Sequence, residues 1–195
     1  LRNILGVVAA AAVRGLNAEE IALGVSTFEG VRRRQEIRGV ADGVVIIDDF
    51  AHHPTAVRLT LDGLRRRYEG RRLWALFEPR TNTTRRSVFQ QDYATSFDSA
   101  DRVVLAAVDH PERVPEAERF SPERLVADLV RRGRVAEYVP SVPAIVEKVV
   151  REARTGDVVT VMSNGSFGGI HALLLEGLAA RGKQSQGAPT TQRRA

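Results

Sequence analysis

Residues 43–55 read Gly-Val-Val-Ile-Ile-Asp-Asp-Phe-Ala-His-His-Pro-Thr. The four apolar residues after the glycine form a short run that ends at an aspartate, which is typical of a buried strand. Pro54 favours the first turn of a helix, and Val57, Leu61 and Leu64 follow at helical spacing. The stretch therefore predicts a strand, a polar turn and a helix in succession.

The same alternation continues along the rest of the chain. Apolar runs predict further strands over 73–77, 103–106, 134–138 and 157–162. Helical patterns and capping residues predict helices over 3–15, 17–28, 84–97, 141–154 and 168–181, and one that opens at Ser121. Strands that alternate with helices predict an α/β fold, with a Rossmann-like, largely parallel sheet flanked by helices.

The chain divides into three parts by sequence pattern. Residues 1–34 predict two helices and a charged hinge, which are too few elements to fold alone, so we expect the tail of a preceding domain. Residues 35–182 predict the α/β domain, and the polar residues 183–195 predict a disordered tail. Because Leu1 is neither an initiator methionine nor the start of a signal peptide, we expect the chain to begin inside a larger protein.

Composition and charge exclude several classes of function. An apolar share of 43% and a charged share of 27% are those of a soluble domain, and no run of about eighteen apolar residues predicts a membrane span. The absence of cysteine excludes disulfides and thiolate chemistry and fits a cytoplasmic enzyme. The net charge of +5 comes from arginines scattered among acids, which suits anionic substrates better than nucleic acid.

Polar segments follow three of the predicted strands, where ligands bind in open α/β sheets. Residues 48–55 offer acids and histidines to a nucleotide, or a capping aspartate with surface histidines. Residues 78–86 offer arginines and an asparagine to carboxylate or phosphate, or a helix cap at Thr83 or Thr84. Residues 162–171 offer glycine N–H groups to an anion, or a tight turn before a helix. These residues alone predict only a domain with an anion-binding edge.

Three segments resemble parts of the Mur ligases. Asp-Asp-Phe-Ala-His-His-Pro-Thr at 48–55 resembles the motif that begins the C-terminal domain of these enzymes, and 28–34 resembles their interdomain segment with paired arginines. Asn3 resembles the second asparagine of the central-domain helix that lines their active site. The resemblance extends from residue 1 to about 182.

Two motifs point to one branch of the family. Glu-Pro-Arg-Thr-Asn-Thr at 78–83 and Met-Ser-Asn-Gly-Ser-Phe-Gly-Gly-Ile-His at 162–171 resemble the peptide-recycling branch, with Thr81 and Ser166 as departures. The resemblance implies a cytoplasmic ligase that uses ATP and Mg²⁺ to join L-Ala-γ-D-Glu-meso-diaminopimelate to UDP-N-acetylmuramate through an acyl phosphate. It would act as part of a longer chain, with no nucleic-acid or membrane partner.

The resemblance also implies roles for individual residues. Arg34 and Asp49 would engage ATP and, with Asn3, serve catalysis, while His52 and His53 share the nucleotide-facing loop. Position and charge suggest a second set for the peptide carboxylates: Arg80, Asn82, Thr83, Ser163, Asn164, Gly165 and Gly168. No metal ligands are assigned to this chain. Because the family's phosphate-binding loop does not occur in the sequence, we expect these 195 residues to be inactive alone.

Other functions stay open at this point. A UDP-N-acetylmuramate–L-alanine ligase would differ from the peptide-recycling ligase only in its amine substrate. A non-catalytic nucleotide- or anion-binding module is favoured by the missing phosphate loop. A nucleic-acid-binding domain ranks last, because it needs a basic face with exposed aromatic rings.

Overall fold

The structure, a computed structural model, describes residues 2–186, and these separate between Val31 and Arg32 into two compact units. The helices are α1 (Arg2–Val13), α2 (Ala18–Ser26), α3 (Pro54–Arg67), α4 (Gln90–Ser96), α5 (Pro122–Arg131), α6 (Val142–Glu152) and α7 (Ile170–Gln186). The strands are β1 (Glu36–Ala41), β2 (Val44–Asp49), β3 (Leu73–Phe77), β4 (Arg102–Leu105), β5 (Val135–Tyr138) and β6 (Val158–Met162).

The first unit consists of α1 and α2. The Asn17 side chain accepts a hydrogen bond from the Glu20 N–H at 2.9 Å, and the Glu20 carboxylate accepts one from the Asn17 N–H at 2.9 Å. This reciprocal pair is the capping box that the sequence predicts, and it fixes where α2 begins.

The second unit is built on one six-stranded sheet in the order β1-β2-β6-β3-β4-β5. All neighbouring strands run parallel except β1, which pairs antiparallel with β2 at one edge. The predicted α/β fold with a largely parallel sheet is confirmed. β1 was not predicted, because Glu36, Arg38 and Gly39 leave it without an apolar run.

The core occupies both faces of this sheet, as a parallel sheet requires. One face packs against α3, α4 and α5 through residues such as Leu61, Tyr93 and Leu125. The other packs against α6 and α7 through residues such as Ile145 and Leu174. Because successive side chains of a strand point to opposite faces, adjacent polar residues at a strand end are delivered to different helix layers.

Two helices differ most from their predicted bounds. The predicted helix over 84–97 begins only at Gln90, after a turn of 3₁₀ helix at Ser87–Phe89. The last helix continues to Gln186 rather than ending at 181, and residues 187–195 of the predicted tail lie outside the described part of the chain. Within residues 2–186, no helix is both long and apolar enough to cross a membrane.

Candidate functional site

The three polar segments meet at one edge of the sheet because their strands are neighbours. Asp49 at the end of β2 lies opposite Met162 at the end of β6, which lies opposite Phe77 at the end of β3. The chains stay joined beyond these ends: the Ser163 N–H donates to the Asp49 carbonyl at 3.2 Å, and the Glu78 N–H donates to the Met162 carbonyl at 3.1 Å. The predicted anion-binding segments therefore form one continuous surface.

Asp49 organises the turn that follows β2. Its carboxylate accepts hydrogen bonds from the Ala51 N–H at 2.7 Å, the Gln35 N–H at 2.9 Å and the Thr60 hydroxyl at 3.3 Å. The side chain is buried, and burial raises the pKa of its carboxyl group although these hydrogen bonds act in the opposite direction. Asp49 thus ties Gln35, just before β1, to the turn that carries the two histidines.

The two histidines of this turn have different surroundings. His53 caps α3, because its Nδ1 accepts the Thr55 N–H at 3.3 Å, and its ring lies 4.7 Å from the Phe89 ring. His52 has Nδ1 3.0 Å from the Phe50 carbonyl oxygen. The capping alternative is therefore realised by His53 rather than by the aspartates, and the Nε2 atoms face away from these backbone contacts.

Of the paired arginines, Arg34 is exposed and its guanidinium lies 5.3 Å from the Phe50 ring centroid. Arg33 points into the site instead: it donates to the carbonyls of Ser163 at 2.6 Å and Gly165 at 2.7 Å. Its Nε also lies 3.3 Å from Asp48. Arg33 was missed from the sequence, because three successive arginines give no sign of which one turns inward.

The segment after β3 holds its arginines through Asp109. Arg85 is buried and pairs with the Asp109 carboxylate at 3.0 Å, and it also donates to the Asn82 side-chain oxygen at 3.2 Å. Arg80 is more open, with looser ion pairs of 3.8 Å to Glu78 and 3.7 Å to Asp109. Asp109 was predicted only as part of a loop, although it fixes both guanidinium groups.

Threonines form the turn in this segment. Thr84 is buried, and its hydroxyl accepts the Thr81 N–H at 2.8 Å, while the Thr81 hydroxyl accepts the Thr84 N–H at 3.1 Å. Thr83 and Asn82 are exposed. The turn is thus closed by Thr81 and Thr84, and Thr83 is left facing solvent.

The loop after β6 is held from both sides. The buried Ser163 hydroxyl donates to the Glu78 carboxylate and accepts the Gly165 N–H at 2.9 Å. A Cβ at Gly165 would lie 2.5 Å from the Arg80 side chain, so only glycine allows Arg80 to cross here. Gly168 has a φ of 58°, which favours glycine, and the Asn164 side-chain oxygen is buried without a hydrogen-bond partner.

A cleft with a volume of 440 Å³ opens beside this loop. It is lined by Arg33, Arg38, Asp48, Gly165, Ser166 and His171. His171 Nε2 lies 3.5 Å from Asp48 Oδ1, and neither atom makes a hydrogen bond. Burial lowers the pKa of His171, although the Asp48 charge acts in the opposite direction.

Asn3 lies in the first turn of α1, in the other compact unit. In residues 2–186 no group of three or more histidine, aspartate or glutamate side chains is arranged to hold a metal ion. The sheet edge carries guanidinium groups paired with carboxylates: Arg33 with Asp48, Arg80 with Glu78, and Arg85 with Asp109.

Fold and site together define an α/β domain in which three polar segments meet where neighbouring parallel strands end. Residues 32–165 match the family described as Mur ligase, glutamate ligase domain. The chain belongs to the Mur ligase family, which confirms the resemblance found in its motifs.

Individual relatives come from two branches. The UDP-N-acetylmuramate--L-alanyl-gamma-D-glutamyl-meso-2,6-diaminoheptandioate ligase of Escherichia coli (strain K12) is 38% identical over 187 residues, 95% of this chain and 39% of that protein. The UDP-N-acetylmuramate--L-alanine ligase of Nostoc punctiforme is 36% identical over 168 residues, 86% of this chain and 34% of that protein.

A solved structure of a Mur ligase is also similar to this chain. The murein peptide ligase of Psychrobacter arcticus 273-4 superposes with a TM-score of 0.68 at 33% identity, covering 91% of this chain and 36% of that one. In all three comparisons the chain spans well under half the length of its relative.

Proposed function

We propose that this chain is the C-terminal part of an ATP-dependent ligase that joins L-Ala-γ-D-Glu-meso-diaminopimelate to UDP-N-acetylmuramate in peptidoglycan recycling. One observation carries the proposal: the two motifs that resemble the peptide-recycling branch touch each other. Ser163 bonds Glu78, and Arg80 crosses Gly165. The similarity to the Escherichia coli ligase, which covers 95% of the chain, supports the same branch.

The proposed reaction has two steps. The muramate carboxylate attacks the γ-phosphorus of ATP, the bond to ADP breaks and an acyl phosphate forms. The neutral peptide amine then attacks the acyl carbon, and phosphate leaves as the amine loses its proton. Catalysis of this kind depends on positioning and charge neutralisation. By the family resemblance, Mg²⁺ would neutralise phosphate charge and would be held mostly by residues upstream of this chain.

The nucleotide side of the proposed site is the turn after β2. The exposed Arg34 guanidinium and the Phe50 ring beside it offer a charged and a flat surface to ATP. Since the Asp49 carboxylate already accepts three hydrogen bonds, we propose that it acts by positioning this turn. His52 and His53 would contribute their Nε2 edges.

The peptide side is formed by the segments after β3 and β6. Arg80 is the best candidate for a carboxylate clamp, because its ion pairs are 3.7 and 3.8 Å long and its side chain is 36% exposed. Asn82, Thr83 and Asn164 supply neutral polar groups nearby. The backbone of Ser163, Gly165 and Gly168 forms the loop that faces them.

The remaining assignments rest on the family resemblance. We propose that residues 1–34 end the central, ATP-binding domain with Asn3 at its active site, and that 35–182 form the C-terminal domain. The other domains of the same longer chain would be its partner. The ligase would work in the cytoplasm, and the 195 residues alone would not turn over.

The test uses the reading frame extended upstream, with ATP, Mg²⁺ and UDP-N-acetylmuramate. Phosphate release is followed with the tripeptide and, separately, with free L-alanine. Release with the tripeptide alone supports the proposal. Release with L-alanine alone would identify the biosynthetic enzyme, which the 36% identity to the Nostoc punctiforme ligase favours as second candidate. Release with neither would favour a non-catalytic binding module.

Arg80→Glu tests the peptide side in the same assay. Reversing the charge should raise the tripeptide KM at least about tenfold, the loss expected for a charge-assisted hydrogen bond, while the ATP KM stays unchanged. Arg113→Glu, an exposed charge reversal outside the site, is the matched control. An unchanged tripeptide KM in Arg80→Glu would remove Arg80 from the peptide site.

A further inference from the structure

The cleft beside the loop after β6 contains polar groups that the fold does not use. The Asp48 side chain is only 6% exposed, yet its Oδ1 has no hydrogen-bond partner. A buried carboxylate oxygen without a donor is costly, so such atoms mark places where a donor is expected. His171 Nε2, 3.5 Å away, is buried and equally unpartnered.

Cationic groups surround this unfilled acceptor. Arg33 lines the cleft; its Nε lies beside Asp48 and one terminal nitrogen donates to two carbonyls, and its other terminal nitrogen takes part in none of these contacts. Arg38 is 44% exposed and makes one weak pair, 3.3 Å to Glu36. The cleft thus offers a buried acceptor for a donor and, at its mouth, guanidinium donors for an anion.

A ligand that binds both the Asp48 acceptor and the two guanidinium groups must carry a hydrogen-bond donor and an anionic group close together. A lone phosphate or carboxylate would satisfy the arginines but would face the Asp48 charge, and a lone ammonium would meet two guanidinium groups. The head of an α-amino acid carries an ammonium group and a carboxylate on one carbon, and it is neutral overall. A neutral imidazole at His171 can bond either group.

We propose that this cleft binds the free amino-acid end of the diamino acid in the peptide substrate, with its ammonium group on Asp48 Oδ1 and its carboxylate on Arg33 and Arg38. The proposal rests on the proposed function and names the part of the site that selects the third peptide residue. Its position supports it, because Gly165 borders this cleft and also lies against Arg80. The Arg80 clamp and the cleft are therefore neighbours on either side of Gly165.

Binding to the 195-residue chain, without ATP, tests the idea separately from ligation. Isothermal titration compares L-Ala-γ-D-Glu-meso-diaminopimelate with L-Ala-γ-D-Glu-L-Lys, whose side chain ends in an ammonium group alone. We expect the diaminopimelate peptide to bind at least about tenfold more tightly, the value of a charge-assisted hydrogen bond to a guanidinium group. Equal affinities would overturn the proposal.

Two variants test whether Asp48 and Arg38 cause the preference for the diaminopimelate peptide. Asp48→Asn keeps the shape of the side chain but removes its charge, and it should weaken the diaminopimelate peptide about tenfold. Arg38→Ala removes an exposed side chain on which the fold does not depend, and it should abolish most of the preference over the lysine peptide. Glu147→Gln, a carboxylate 77% exposed on α6, is the control and should bind as the wild type does.

The outcomes separate this inference from the proposed function. If Asp48→Asn does not fold, Arg38→Ala still decides, and wild-type selectivity in that variant would overturn the proposal. If the extended protein ligates the tripeptide but Arg38→Ala leaves its KM unchanged, the cleft assignment is wrong and the ligase stands. If the chain binds the diaminopimelate peptide through Asp48 and Arg38 without any ligation, the cleft stands and the ligase does not.

Discussion

Replacing Arg33 by alanine should destabilise the second unit by about 3 kcal/mol. The guanidinium makes two charge-assisted hydrogen bonds, to Ser163 and Gly165, each of which contributes about 1.5–3 kcal/mol when fully buried. Since the Arg33 side chain is 31% exposed, the freed carbonyls regain some water, which reduces the sum to roughly 2–4 kcal/mol. Asp48, only 6% exposed, also loses its nearest cation.

Alanine is the right replacement because of the backbone. Arg33 has a φ of 57°, where any residue with a Cβ is strained. Glycine would relieve that strain and so mask the stability lost with the side chain. Alanine keeps the strain, so the difference in free energy of unfolding between the wild type and Arg33→Ala reports the guanidinium group alone. The stability of Arg33→Lys should lie between that of the wild type and that of Arg33→Ala, because an ammonium group cannot bind three acceptors with the fork geometry of a guanidinium group.

Urea denaturation followed by tryptophan fluorescence measures the effect. Trp74 is the single tryptophan of the chain and is fully buried in the sheet, so its emission reports the second unit only. Arg34→Ala is the matched control: the neighbouring arginine is exposed and lies over Phe50, and its loss should cost less than about 1 kcal/mol. If the two variants differ by less than about 1 kcal/mol, Arg33 does not hold the loop and the reasoning fails.

Three further predictions concern the same unit. Asp157→Ala should cost about 2–4 kcal/mol in urea denaturation, because Asp157 accepts from Arg72 and Trp74. Burial raises the pKa of Asp157, but these hydrogen bonds outweigh burial and leave the pKa below 3.8. The stabilisation is therefore present above pH 3.8 and is lost in stronger acid, where the free energies of unfolding of the wild type and the variant should converge. Burial lowers the pKa of His171 below 6.5, so its ring should titrate below pH 6.5 in NMR, and stability should fall as the pH drops through that range; a midpoint at or above 6.5 would contradict this. Gly165→Ala should fold with a loss below about 1 kcal/mol, because its Cβ meets only the flexible end of an arginine, but it should raise the tripeptide KM; an unchanged KM would show that the displaced arginine does not bind the peptide.

β2, β3, β4 and β6 were predictable because each is a short apolar run buried on both faces, whereas β5 alternates buried and exposed residues at the other edge. β1 was not predictable, since Glu36, Arg38 and Gly39 interrupt its pattern and an edge strand needs only one covered face. The late start of α4 also escaped prediction. Thr81 and Thr84 bond each other across a turn, and this local network competes with helix formation.

The sequence predicts the location of the site better than its contacts. The polar segments were expected at the same edge because the carboxyl ends of parallel strands share one edge, whereas the strand order that makes them neighbours comes from the structure. The inward turn of Arg33 depends on a positive φ and on carbonyls from Ser163 and Gly165, more than a hundred residues away in the chain. His171 and Asp48 face each other only because α7 covers the sheet face to which the Asp48 side chain points. Such long-range pairings leave no local pattern to read.

The place of β6 in the sheet has a consequence for synthesis. β6 is the last strand along the chain, yet it lies between β2 and β3. Until the ribosome has released residues up to Met162, β1 and β2 cannot join β3, β4 and β5 through backbone hydrogen bonds. Before then the native pairings can form only within two separate parts, β1-β2 and β3-β4-β5, whose open edges are templates for wrong pairing. Insertion of the final strand closes the sheet and assembles the ligand edge in the same event.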